Sequence, residues 1–274
     1  MQIKLDGTVG DKMPETWSLD FETRSEVDLR KTGVYRYVEG DHASILCMAW
    51  KPPREEPRIW IPNRPDLPDD LNELFSYILG GGLIRAFNAE FEYVVWNALM
   101  PVPRPILAVP LLRCTMAQAA AASIRQSLAN ASFDVNLPQD KQKDKRGKYL
   151  IQHLCKPQRL SKKNPEMFWR YEDHPDLFHE LYDYCKQDCI AEEALSERLR
   201  PLSEYEQRVW EMTIWVNERG VPLSVDEAAE IDVLVKRSKI LLDEEASALS
   251  GGAFKSTNQV RLVVDWVNKR MEEF

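Results

Sequence analysis

Apolar and polar positions alternate through TWSLDFET (Thr16–Thr23), which predicts a strand carrying Asp20 and Glu22 on one face and Phe21 on the other. Further strands are expected over Ser44–Trp50 and Arg58–Ile61, separated by the turn-rich KPPREEP. Asp69 and Asp70 open a helical pattern (Leu71, Leu74, Phe75, Ile78, Leu79) that Gly80-Gly81-Gly82 stops. A short strand, Leu83–Phe87, and a helix from Ala89 to Leu99 follow, halted by Pro101, Pro103 and Pro105. Strands alternating with helices predict a layered α/β domain.

The rest of the chain reads as helical. Short helices are expected in MAQAAAA after Thr115 and over Arg125–Phe133, with a turn or two in KYLIQHLC, before a long helix over Pro175–Leu199. Pro201 interrupts it, and Ser203 with Glu206 forms a capping box for a helix running to Glu218. Arg219-Gly220 is its C-cap; Ser224 caps the next helix, which Gly251-Gly252 ends, and a last one starts near Thr257 or Asn258. The pattern divides the 274 residues into a polar tail (1–14), an α/β domain (15–200) and a helical extension (201–274).

Composition narrows the class. Hydrophobic residues at 44% and charged residues at 29% are enough for a packed core. No apolar run approaches the ~18 residues of a membrane span, and the N-terminus has no signal-peptide stretch. Cys47, Cys114, Cys155, Cys185 and Cys189 are scattered without CxxC spacing, which fits the reducing cytoplasm and disfavours a disulfide framework or a thiolate zinc site. The net charge of −8 hides a contrast: Lys141–Lys163 holds nine basic residues and one acid, a local +8 against −16 for the remainder. An acidic body with one basic segment suits cations in one place and phosphates in another.

Three carboxylate-bearing pieces stand out. Asp20 and Glu22 leave the same face of a strand and repel unless a cation such as Mg²⁺ or Mn²⁺ neutralises them; alone, the pair is equally a solvated strand end. Asn88 and Glu92 are i and i+4 at a strand-to-helix junction, where they also read as an N-cap and a first-turn acid. Tyr184 and Asp188 share a helix face at the same spacing, which a buried edge and a solvated acid would share too.

In this order, SLDFETRS, AFNAEFEYVVWN and YDYCKQDC resemble the DnaQ-like (DEDD) 3′–5′ exonucleases. The subclass is the one in which a tyrosine precedes the last acid by four; Asp183 stands where the sister subclass has histidine. KDKRGKYLIQHLCKP and LSEYEQRVWEMTIWVNERGVPL look like the proofreading domain of bacteriophage-type family A DNA polymerases (the DNA polymerase I family). GGAFKSTNQVRLVVDWV looks like the opening of that family's thumb. The second motif departs from the family, with Glu92 in place of the usual Asp.

The resemblance implies a ribonuclease H-like mixed sheet flanked by helices over residues 15–200, and a thumb-like helical extension after it. It implies hydrolysis of the 3′-terminal phosphodiester by a two-metal-ion mechanism that releases nucleoside 5′-monophosphates. Asp20, Glu22, Glu92 and Asp188 would be ligands of two Mg²⁺ or Mn²⁺ ions, and Tyr184 would orient the attacking water. The implied partners are single-stranded DNA or a frayed 3′ primer end and a polymerase domain in cis or in trans, in a bacterial host's cytoplasm. A palm and fingers need several hundred further residues, so no polymerase activity is expected of this chain, whether it is a segment of a polymerase or a free-standing exonuclease.

Asn88 and the basic residues Lys145, Arg146 and Lys148 are the expected substrate contacts. Glu90 should face away from the site. Trp50, Trp96, Trp210 and Trp215 read as packing, and Cys185 and Cys189 as ordinary burial. The alternatives are a ribonuclease D-like RNA exonuclease and a catalytically silent DNA-binding module of a polymerase.

Overall fold

Strand β1 (Thr16–Arg24) lies at the centre of a five-stranded sheet because it pairs along both edges. It runs antiparallel to β2 (Ser44–Lys51), which in turn pairs antiparallel with β3 (Arg58–Trp60). On its other edge it runs parallel to β4 (Leu83–Ala86), followed by parallel β5 (Leu112–Cys114), giving the order β3-β2-β1-β4-β5. Flanked by helices, this mixed sheet is an α/β ribonuclease H-like fold, as the sequence led one to expect. The computed structural model describes residues 15–62, 69–139, 146–161 and 165–272.

The alternation in β1 separates two cores. Trp17, Leu19 and Phe21 join Met48 and Trp50 of β2 beneath two helices, Asp69–Leu79 and Ala89–Leu99. Burying side chains of this size stabilises the fold by about 1.5–3 kcal/mol each. The opposite face of β2 packs Leu46, Cys47 and Ala49 against the long helix Pro175–Ser196. In chain order the helices of this region are α1 (Leu29–Tyr37), α2 (Asp69–Leu79), α3 (Ala89–Leu99), α4 (Thr115–Ala121), α5 (Leu128–Asp134), α6 (Gly147–Leu150), α7 (Pro175–Ser196) and α8 (Glu204–Arg219). A π-helical turn, Ile151–Cys155, continues α6.

Local chemistry explains most boundaries. The Gly80–Gly82 stop holds, with Gly81 at φ +83° and the Gly82 amide donating to the Tyr77 carbonyl at 2.9 Å. The capping box closes at α8: the Ser203 amide donates to Glu206 at 2.7 Å and the Glu206 amide to Ser203 Oγ at 3.3 Å. Helix α5 starts later than the expected Arg125, because Ser127 is its cap and Arg125 folds back to pair with Asp134 at 2.6 Å. Trp50 and Trp96 are fully buried and Trp210 packs on the core, but Trp215 is 70% exposed on α8, against the packing expected of it.

Compactness divides the chain into Met1–Glu218 and Arg219–Phe274. Helix α8 belongs to the first unit: Gln207 Nε2 donates to the Leu112 carbonyl at 3.0 Å and Asn217 Nδ2 to Glu90 Oε1 at 2.9 Å. The second unit contains α9 (Val225–Leu249), capped by Ser224 Oγ, and α10 (Val260–Glu272). Between them Phe254 and Trp266 meet edge to face at 5.9 Å. Gln259 Oε1 accepts from the Lys255 and Ser256 amides, so residues 255–259 form a turn and α10 begins later than the expected Thr257 or Asn258. No helix among the described residues is long and apolar enough to cross a membrane.

Candidate metal centre and substrate groove

The period of two in β1 sends Ser18, Asp20 and Glu22 toward α7, opposite the face that carries Phe21. A register shift between Glu22 and Thr23 interrupts the pairing with β2 at the end of this carboxylate pair. On α7, Tyr184 and Asp188 lie one turn apart on the buried face. The fold brings Asp20, Glu22 and Asp188 together, each offering a carboxylate oxygen within 4.8 Å of the others. At an effective dielectric of about 20, each ionised pair at this separation repels by on the order of 3 kcal/mol. Glu22 and Asp188 are buried, so solvent does little to relieve this. A hard divalent cation with oxygen ligands, Mg²⁺ or Mn²⁺, suits this donor set.

Glu92 sits in the first turn of α3, 4% exposed, and lines the same groove as the three acids without belonging to their 4.8 Å cluster. Its Oε2 has no hydrogen-bond partner among the described residues. Burial, then the charge of Asp20, hold its carboxyl well above the ordinary 4.5. Without a cation the folded chain therefore keeps a proton that the unfolded chain releases, so stability should fall as pH rises above 4.5 toward that raised value. Glu92→Gln should remove this contribution, worth at most about 1.4 kcal/mol per pH unit. Thermal melts in chelator from about pH 5 to about pH 8 check it; equal slopes for both proteins would refute the assignment.

Asn88 occupies the N-cap position of α3, but its side chain makes no capping bond and is exposed along the groove. Glu90 faces elsewhere, as expected, accepting from Tyr35 Oη at 3.2 Å and from Asn217. Tyr184 is 2% exposed; burial, followed by the charges of Asp188, Glu22 and Asp20, raises its phenol far above the ordinary value of 10.0. It stays protonated at any physiological pH.

The groove has a volume of about 560 Å³. Phe87, Phe91, Leu128 and Ile151 give it apolar walls, while Asn88, Gln152, Lys156 and Arg30 add polar ones. Of the basic residues expected to meet substrate, Arg146 and Lys148 are not among the lining side chains, and Lys145 lies outside the described residues. Arg146 instead pairs with Glu180, its Nη2 donating to Oε1 at 3.1 Å, and covers the Tyr149 ring at 5.2 Å. Lys156, read in the sequence only as part of the basic segment Lys141–Lys163, lines the groove, and so does Arg30, which the sequence reading did not single out. The signal for Arg30 was position: the chain leaving a strand that ends in DxE must border the site.

All five cysteines are buried free thiols. Cys155 Sγ donates to Glu22 Oε2 at 3.7 Å and Cys185 Sγ to the Asp20 carbonyl at 3.5 Å, and burial pushes both thiols up. They act as small hydrophobes that brace the acids.

No family model matches this sequence. The chain is similar to a DNA polymerase of Bacillus phage SP02, 28% identical over 263 residues that cover 93% of this chain and 39% of that protein. It thus spans about two fifths of the length of its relative.

Proposed function

We propose that the chain is a metal-dependent 3′–5′ DNA exonuclease of the proofreading type, which trims single-stranded or frayed 3′ ends beside a polymerase domain, in cis or in trans, in a bacterial host's cytoplasm. The observation that carries this reading is the convergence of Asp20, Glu22 and Asp188 within 4.8 Å, with Tyr184 lining the same groove. The similarity to a phage DNA polymerase supports DNA as substrate and a polymerase as companion.

Asp20, Glu22 and Asp188 would hold the cations, with Glu92 beside them. Bound there, divalent ions supply Lewis-acid activation of water and stabilisation of charge on the leaving oxygen. Tyr184, locked in its protonated form, orients the attacking water by a hydrogen bond and takes no proton from it. The rings of Phe87 and Phe91 offer apolar faces to the terminal nucleotide, and Lys156 and Arg30 offer charge to its phosphates.

A 5′-labelled single-stranded oligonucleotide incubated with Mg²⁺ or Mn²⁺ should shorten stepwise from its 3′ end and release nucleoside 5′-monophosphates. Cuts in the interior, or faster degradation of the matched RNA, would overturn the reading. Tyr184→Phe should slow hydrolysis by about 10–100-fold through loss of water orientation, with oligonucleotide affinity measured by anisotropy unchanged. Collapse of binding would make Tyr184 a substrate contact instead.

A further inference from the structure

Gly147 opens α6 with its backbone outside the left-handed region, so the local conformation does not demand glycine. Within a helix glycine is less favourable than alanine. Space explains its presence. A Cβ on Gly147 would stand 2.7 Å from the Tyr184 hydroxyl and nearer still to ring carbons Cζ and Cε2, inside the 3.0 Å that real Cβ atoms respect. The ring has little room to retreat, because it is buried in a cluster with Leu150, Leu154, Leu181 and Cys185. The preceding residue adds a second tie: Arg146 pairs with Glu180, one turn before Tyr184 on α7. The start of α6 is thus bound to α7 by an ion pair and laid against the phenol in the next turn.

Building on the exonuclease reading of the site, we propose that Gly147 is a positioning residue for Tyr184: the missing side chain lets the phenol hydroxyl stand beside the carboxylate cluster, and any larger residue displaces it. Gly147→Ala, Tyr184→Ala and the double variant form a cycle that tests this in the full chain. Gly147→Ala alone should lower kcat by about as much as Tyr184→Phe does, on the order of 10–100-fold for a misplacement near 1 Å, and should lower the melting temperature. In the Tyr184→Ala background, where the ring is gone, the same substitution should change neither quantity. Equal losses in both backgrounds would reduce Gly147 to a general packing role and overturn the proposal.

A readout independent of catalysis separates this claim from the exonuclease reading. With 3-fluorotyrosine incorporated, the ¹⁹F resonance lost in Tyr184→Phe identifies residue 184, and it should shift in Gly147→Ala. An unmoved resonance would sink the positioning role even in an active nuclease. A shifted resonance with the melting cycle above would uphold the contact even if no oligonucleotide were cut, and the exonuclease reading alone would then fall.

Discussion

Asp20→Ala should lower hydrolysis of a single-stranded oligonucleotide by about three orders of magnitude, while raising the melting temperature of the cation-free protein. The first effect follows because ion-borne stabilisation of the reaction is worth several kcal/mol, at tenfold for each ~1.4 kcal/mol. Of the cluster, Asp20 acts most strongly on Glu92, ahead of Glu22, so its loss weakens the hold on cations from both sides. The second effect comes from the same charge. Removing one carboxylate from a group within 4.8 Å relieves repulsion against both Glu22 and Asp188. Single-turnover rates and melts with and without Mn²⁺ check the pair of outcomes. Near-normal cutting by the variant, or a wild-type melting temperature that Mn²⁺ does not raise, would show that the cluster is no metal centre.

The opposite signs matter because an ordinary structural carboxylate gives the reverse pattern. A surface acid in a salt bridge loses at most about 1 kcal/mol when truncated and leaves catalysis alone. Sites that sacrifice stability to concentrate like charge are where sequence rules are expected to be broken for a reason.

The elements that carry the site were legible because their signals are local. Period two in TWSLDFET put Asp20 and Glu22 on one face, and i, i+4 spacing stacked Tyr184 and Asp188; both placements hold. What escaped was either too short or unpatterned. Strand β5 has three residues, as β3 does, but no turn-rich stretch like the KPPREEP before β3 marks where it begins. Helix α1 is broken by Gly33 at φ +78° and has no apolar stripe, so only the Asp28 cap announces it. The basic segment was legible as charge but not as geometry. Arg146 spends its guanidinium on Glu180, and among the described residues of the segment Lys156, at the end of the π turn, is the basic side chain that lines the groove. Gly147 likewise looks like a loop glycine until the Tyr184 ring is placed against it.

The largest stability effect should come from a network that no local pattern announces. Glu192, 3% exposed and one turn beyond Asp188 on α7, accepts from Ser18 Oγ of β1 at 2.6 Å, from Arg85 Nε of β4 at 3.2 Å and from Thr115 Oγ1 at the start of α4. Arg85 also reaches Ser196 Oγ at 3.4 Å and Glu193 at 3.8 Å. Three chain segments far apart in sequence are thereby pinned to the helix that carries Tyr184 and Asp188. Glu192→Ala should cost about 3–5 kcal/mol, because it leaves a buried guanidinium with only its longer contact to Glu193 for an ionic partner, rather than because the pair itself is strong. For a unit of this size that is a fall of roughly 10 °C in melting temperature. Arg85→Met combined with Glu192→Leu should recover much of the loss, since apolar residues of similar volume need no partner. Urea melts of Arg85→Met, Glu192→Leu and the double variant decide the matter. A double variant whose loss equals the sum of the two single losses would mean that Arg85 and Glu192 are not energetically coupled, and that α7 is held in register by its apolar packing alone.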